Sequence, residues 1–215
     1  MTAKFNQRDN SALNSSSKVD NVMTWYDAIA PSYDELYGDE QLRKYYHIFD
    51  VLLASGNIPY RKHPVIIDVG CGTSLMAKEL NKLLTTRSYY YAGIDISLNI
   101  LEIAKNRINN LDIIADLVAG DANSLPFREG IADMIFSISV FRCKDPVDEL
   151  VRKSLRLCRD GGVMVLTVVC GEGVKRKACY GNSNPFYETV IRTGRELIQI
   201  IKCEQPKDSV NLRGE

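Results

Sequence analysis

The chain has no excess of charge of either sign, because 27 Lys and Arg stand against 27 Asp and Glu. A neutral surface supplies no long-range field to gather a polyanion, which argues against a general nucleic-acid coat. Long hydrophobic runs are also missing. The longest apolar stretch, residues 163–170, falls far short of the about 20 residues of a membrane helix. The opening 21 residues are polar throughout and read as containing no secretory signal. Cys71, Cys143, Cys158, Cys170, Cys179 and Cys203 include no C-x-x-C pair, and none lies near a histidine at zinc-ligand spacing. They are expected to be free thiols in a reducing compartment, so the sequence predicts a cytoplasmic protein without a metal. Histidine is scarce too: His47 and His63 are isolated, a setting that suits a structural or exposed role better than general-base work.

What remains is an ordinary globular composition, with 45% apolar and 25% charged residues. At 215 residues the chain fits one domain with embellishments. Residues 1–22 are rich in Ser and Asn without periodicity and are expected to form a disordered tail. Residues 23–215 are then a single domain: a leading segment and helix over 23–56, a core over 64–170 and a C-terminal segment over 171–215.

Leu42, Tyr45, Tyr46, Phe49, Leu52 and Leu53 recur at helical spacing, and Gly56 is placed to end the helix in a left-handed cap. Short apolar runs then alternate with helical segments. Strands are expected over 65–70, 89–95, up to Asp121, 132–140 and 161–169. Helices lie between them, one capped by Ser97 and one with Pro146 in its first turn. This alternation predicts an α/β fold: a Rossmann-like, doubly wound, mostly parallel sheet with helices on both faces. The last segment fits a hairpin turning at Thr193 and Gly194 or one long helix interrupted by that glycine. The β-branched residues over 189–191 and 198–201 favour the C-terminal antiparallel hairpin, although Glu188, Arg195 and Glu196 are tolerated equally by a helix.

In such a sheet ligands bind beyond the carboxyl ends of the strands. The first end reads Asp68-Val69-Gly70-Cys71-Gly72-Thr73-Ser74, where Gly70 and Gly72 permit a tight turn and close backbone approach. Leu75 stands where the dinucleotide pattern G-x-G-x-x-G requires its last glycine, and no phosphate loop is present. The second end is Asp95, 25 residues beyond Gly70, a carboxylate suited to a ribose diol. The third, Asp121-Ala122, offers a side-chain acceptor and a backbone N–H to an adenine edge. Together these residues describe an adenosine site. Asp68 adds negative charge where a pyrophosphate would want none, which favours a ligand carrying sulfonium and ammonium groups.

The ordered motifs D-V-G-C-G-T-S, G-I-D-I-S, G-D-A-N-S-L-P-F and L-R-L-C-R-D-G-G resemble those of class I S-adenosylmethionine-dependent methyltransferases. The opening W-Y-D-A-I-A-P-S-Y-D-E-L-Y is similar to the N-terminal lid of the subgroup that includes ubiquinone and menaquinone biosynthesis methyltransferases. The resemblance implies S-adenosylmethionine as cofactor. It places Asp68, Gly70, Cys71 and Gly72 at the methionine end, Asp95 on the ribose, and Asp121 with Ala122 on the adenine. It implies that Ile96 packs on the adenine face and that Ser139 lines the reaction centre. Among Tyr26, Tyr33 and Tyr37, Tyr33 is the residue it implies closes over the cofactor, unless these rings only pack the helix onto the sheet. Ser74 replaces the family's third glycine and is expected to cap the following helix.

The resemblance leaves the methyl acceptor open among a small molecule, tRNA and protein, with a small molecule preferred, and admits an activating partner subunit. Two alternatives stand beside it: an NAD-dependent oxidoreductase on a similar sheet, and a non-catalytic S-adenosylmethionine-binding partner subunit. Residues 184–187, Asn-Pro-Phe-Tyr, look like an amine-binding motif but fall in the wrong place in the chain. Over 171–203 three positive charges are in excess, which suits a solvated face and leaves room for an anionic acceptor.

Overall fold

A computed structural model describes residues 15–58, 61–84, 88–143, 145, 147–170, 189–193 and 196–203. Five parallel strands, β1 (Val65–Val69), β2 (Tyr90–Asp95), β3 (Ile114–Ala119), β4 (Ala132–Arg142) and β5 (Cys158–Val169), carry the core. Two further strands, β6 (Thr189–Thr193) and β7 (Glu196–Lys202), form an antiparallel hairpin, and β7 joins β5 antiparallel. The sheet order is β3-β2-β1-β4-β5-β7-β6. Because the order reverses at β1, the chain leaves a crevice between the loops after β1 and β4, where a ligand is accommodated in folds of this kind.

Helices α1 (Ser15–Ile29), α2 (Tyr33–Ala54), α3 (Leu75–Leu83), α4 (Leu98–Ile108) and α5 (Val147–Leu157) complete the described fold, with a single 3₁₀ turn over Ala30–Ser32. One face of the sheet packs Ile66, Tyr91, Phe136, Val165 and Ile200 against α2, α3 and α4. The other packs Ile67, Ile135, Met164 and Ile201 against α5. The alternating faces of the strands, apolar on both sides, are what the sequence pattern of a doubly covered sheet requires. The expected fold class and C-terminal hairpin are present.

Several boundaries differ from expectation. Ser15–Ile29 is helical, so residues 15–22 belong to α1 and not to a disordered tail. The reason is tertiary: α1 packs on α4, and its Asp27 accepts a hydrogen bond from Ser97 Oγ and another from the Asn99 N–H at 3.3 Å. Helix α2 starts at Tyr33, before the apolar periodicity becomes evident, and ends before Gly56 at φ +68° as expected. Strand β5 begins at Cys158, running through Gly161 and Gly162, because Cys158 already pairs with Ala132 of β4. Pro146, residues 184–187, Lys175, Arg176 and Lys177 lie outside the described residues.

The cysteines depart most clearly. Cys143 is bonded to Cys170 and Cys158 to Cys203, while Cys71 is a free, buried thiol; Cys179 lies outside the described residues. The partners are 27 and 45 residues apart, so no local spacing announces them. Strand pairing does the work. The Cys143 N–H donates to Val169 O at 3.1 Å, beside Cys170, and the Cys203 N–H donates to Gly162 O at 2.9 Å. Among the described residues no helix is long and apolar enough to cross a membrane.

Candidate functional site

The carboxyl ends of β1, β2 and β3 stand side by side, since Val69 pairs with Ile94 and Asp95 with Ala119. The N–H groups of Gly70 and Cys71 both donate to Ile94 O, at 2.7 and 3.0 Å, folding the loop after β1 over the end of β2. Gly70 (φ +73°) and Gly72 (φ +53°) occupy the left-handed region that glycine permits. At Gly70 a Cβ would stand 2.3 Å from Val140 Cγ2, so the end of β4 also depends on this residue having no side chain.

Asp95 closes the loop from the other side. Its Oδ2 accepts the Gly72 N–H at 2.9 Å and its Oδ1 accepts the Ser97 N–H at 3.0 Å. Burial raises its carboxyl above the usual range against those hydrogen bonds, and nearby Asp27 adds to the rise. Asp68 is 3% exposed at the end of β1 and accepts the Tyr91 hydroxyl at 2.6 Å. Burial, with the charge of Asp95 nearby, pushes its carboxyl up to about 7 although the Tyr91 hydrogen bond lowers it. A buried carboxylate, Asp68, beside the half-buried Asp95, both with raised affinity for protons, forms a place where a cation is welcome.

Cys71 faces away from this opening. Its Sγ sits 2.9 Å from where a Cβ on Gly93 would stand, so the thiol packs onto β2 and leaves its backbone at the loop. Burial beside Asp68 and Asp95 pushes the thiol well up, away from thiolate character. Ser74 adopts φ +55° and makes no side-chain capping bond to α3, contrary to the expectation for it. It replaces glycine by taking the left-handed conformation itself. Ser97 does cap α4, accepting the Ile100 N–H at 3.2 Å.

Ile96 is half-buried beside Asp95, and Asp121 and Ala122 are half-buried in the loop after β3. The Gly120 N–H donates to Asp95 O at 2.9 Å, bringing this loop to the end of β2. Asp121 Oδ1 accepts from Asn123 N and Nδ2, each at 2.8 Å, so it shapes its own turn. Ser139 lies within β4, at φ +61° where the register with β5 shifts between Ser137 and Phe141, its N–H held by Thr167 Oγ1 at 2.7 Å.

Tyr33 opens α2 directly over the glycine loop. A Cβ on Gly72 would meet its ring at 3.7 Å, and Tyr26 and Tyr37 stand beside it with ring centres 6.2 and 5.3 Å away. Burial raises the Tyr33 hydroxyl and keeps it neutral. A cleft between α2 and the loop is lined by Tyr33, Gly38, Gln41, Gly70, Gly72 and Ile138.

Sequence reasoning missed the clamp that seats α2. Arg107 of α4 donates to Asp34 and to the carbonyl oxygen of Thr73, and to Thr73 Oγ1 at 2.6 Å; Thr73 Oγ1 donates in turn to Asp34 Oδ1 at 2.7 Å. These three residues are separated by more than 30 positions in every pairing, and nothing in their spacing signals the contact.

Residues 67–166 match the family described as a methyltransferase domain. The chain is 28% identical over 183 residues to a malonyl-[acyl-carrier protein] O-methyltransferase of Marinomonas sp., covering 84% of this chain and 64% of that one. It is 28% identical over 158 residues to the demethylmenaquinone methyltransferase of Renibacterium salmoninarum, covering 69% and 59%. Its fold is similar to that of a Haloferax volcanii methyltransferase solved in complex with the Trm112 methyltransferase activator, with a TM-score of 0.52, 21% identity, and 66% and 59% of the two chains covered. Residues 67–166 are therefore similar to a methyltransferase domain, and S-adenosylmethionine is the cofactor such a domain implies. The chain spans 26% to 64% of the length of eight curated relatives it matches.

Proposed function

We infer that the protein is an S-adenosylmethionine-dependent methyltransferase acting on a small-molecule acceptor. The observation that carries this reading is the joined loop: Gly72 and Asp95 hydrogen-bonded across the ends of β1 and β2, with Asp68 buried behind them. The residues fit the cofactor by charge and by shape. Asp68 suits its cationic methionine end and Asp95 a ribose diol, and the left-handed backbone of Gly70 and Gly72 turns the loop tightly between them.

When bound, the cofactor supplies a methyl group already activated on a sulfonium sulfur. The chain's work is then to hold and align. Asp68 and the backbone of Gly70, Cys71 and Gly72 hold the methionine end, and Asp95 accepts the ribose hydroxyls. Ile96 covers the adenine, Asp121 and Ala122 read its edge, and Ser139 lines the reaction centre. Tyr33, seated by the Arg107 clamp, excludes water from above. Alignment and exclusion of water supply much of the rate without a dedicated nucleophile.

A small acceptor is supported by the narrow cleft between α2 and the glycine loop and by the absence of net charge to gather RNA. The test is transfer of tritium from S-adenosyl-[methyl-³H]methionine into a cell extract separated into metabolites, RNA and protein. Label is expected in the metabolites; label confined to RNA or protein overturns the acceptor class.

A further inference from the structure

A buried polar cluster lies just beyond the cleft, on the face of the sheet covered by α2. Lys44 Nζ donates to Ser139 Oγ at 2.9 Å and to Glu196 Oε1 at 2.7 Å, and Ser139 Oγ donates to the same Glu196 oxygen at 3.0 Å. Gln41 Nε2 approaches Ser139 Oγ at 3.5 Å. The cluster draws on three elements: Gln41 and Lys44 from one face of α2, Ser139 from the end of β4, and Glu196 from the start of β7. The last is placed here because β7 pairs with β5, Glu196 standing opposite Val169.

Burial makes this arrangement informative. Glu196 is 5% exposed and Gln41 8% exposed, yet Glu196 Oε2 and Gln41 Oε1 are both buried with no hydrogen-bond partner among the described residues. A buried acceptor atom without a donor is costly, more so when charged, so such atoms point to a ligand that brings the donor. Both orphans are acceptors. Gln41 also lines the cleft beside the glycine loop, which joins the cluster to the cofactor site.

We propose that Gln41, Lys44, Ser139 and Glu196 form the acceptor end of the site, and that Glu196 receives the proton of an acceptor presenting a neutral N–H or O–H nucleophile. This rests on the methyl-transfer reading above. The acceptor donates its hydrogen to Glu196 Oε2, while Lys44 and Ser139 hold Oε1 and so fix the carboxylate plane. As the acceptor atom bonds to the methyl carbon, the carbon–sulfur bond breaks with its electron pair remaining on sulfur. The acceptor proton passes to Glu196. Sulfonium and carboxylate thus become thioether and carboxylic acid, and charge and atoms balance.

The same geometry excludes a free carboxylate as the methylated group. It would bring lone pairs, and a negative charge, against two acceptor oxygens with no donor to spare. Lys44 does not relieve this, because it is also paired with Glu40 Oε1 at 2.8 Å.

The test uses the full chain loaded with S-adenosylhomocysteine and three probes of one shape: 4-propylphenol, 4-propylaniline and 4-propylbenzoate. Dissociation constants come from amide shifts in NMR titrations of wild type and Glu196→Gln, after calorimetry of S-adenosylhomocysteine on both. The phenol and the aniline are expected to bind at least about tenfold more tightly than the benzoate in wild type, with the gap narrowing to under about threefold in Glu196→Gln. Cofactor affinity is expected to differ by less than about threefold between the two proteins. Benzoate binding as tight as the others, no binding of any probe, or an unchanged preference in Glu196→Gln overturns the proposal. If wild type fails to bind S-adenosylhomocysteine, the methyl-transfer reading itself is what falls.

Discussion

The Gly72 N–H donates to Asp95 Oδ2 at 2.9 Å, so the glycine loop after β1 and the acid after β2 are one structural unit. Asp95→Ala removes a half-buried hydrogen-bond acceptor from both the loop and the proposed ribose contact. Affinity for S-adenosylhomocysteine is expected to fall by roughly 1 to 3 kcal/mol, read by calorimetry. Unchanged affinity would separate Asp95 from the cofactor.

Gly70 is expected to tolerate no side chain. Its φ of +73° strains any L residue, and a Cβ would lie 2.3 Å from Val140 Cγ2. Gly70→Ala should cost about 1 to 3 kcal/mol in thermal or denaturant unfolding. Adding Val140→Ala removes the clashing methyl and should return part of that loss, leaving the strain of the backbone. A double variant no more stable than the single one would show that the clash is not what matters.

Asp68 predicts a pH dependence near neutrality. Its carboxyl, raised to about 7 by burial, is largely protonated at pH 6 and largely ionised at pH 8. The sulfonium and ammonium of S-adenosylmethionine favour the ionised form, so affinity for S-adenosylmethionine should rise from pH 6 to pH 8 with release of protons, and Asp68→Asn should flatten the profile. The stability of the unliganded protein runs the other way. A carboxyl whose folded value is raised contributes stability that is complete below its unfolded value and is lost as pH rises through about 7. Unfolding midpoints at pH 6 and 8 read this directly, and an Asp68→Asn variant with the same midpoint difference would contradict it.

The bridges Cys143–Cys170 and Cys158–Cys203 predict a thiol count. Denatured protein prepared without reductant, with thiols blocked at lysis, should show four fewer reactive thiols than the reduced chain. Closing loops of 27 and 45 residues stabilises by roughly 3 to 4 kcal/mol each on the chain-entropy account, so reduction should lower the melting temperature. Equal thiol counts would mean that the protein works reduced, as the cytoplasmic expectation from its sequence holds.

Most of the sheet was legible because the strands are apolar on both faces and the glycine loop, Asp95 and Asp121-Ala122 follow them in order. Ser97 as a cap and the hairpin about Thr193 were legible for local reasons: a side chain three residues from its N–H, and β-branched runs about a turn. What failed was non-local. The disulfides arise from strand register, α1 is held by Asp27 on Ser97, and the Arg107 clamp joins α4 to α2 through Thr73. Glu196 was the hardest to see, read as one more charge that a helix or strand would tolerate. Its meaning comes from β7 lying antiparallel beside β5, which carries it to the end of β4 and under Lys44.

The most direct test of the central claim is calorimetric titration of the wild-type chain with S-adenosylmethionine and S-adenosylhomocysteine, with NAD as the control ligand. The account predicts one molecule of either sulfur ligand per chain, each displacing the other, and no heat from NAD. Binding of NAD with displacement of the sulfur ligands, or no binding of either sulfur ligand, would contradict it.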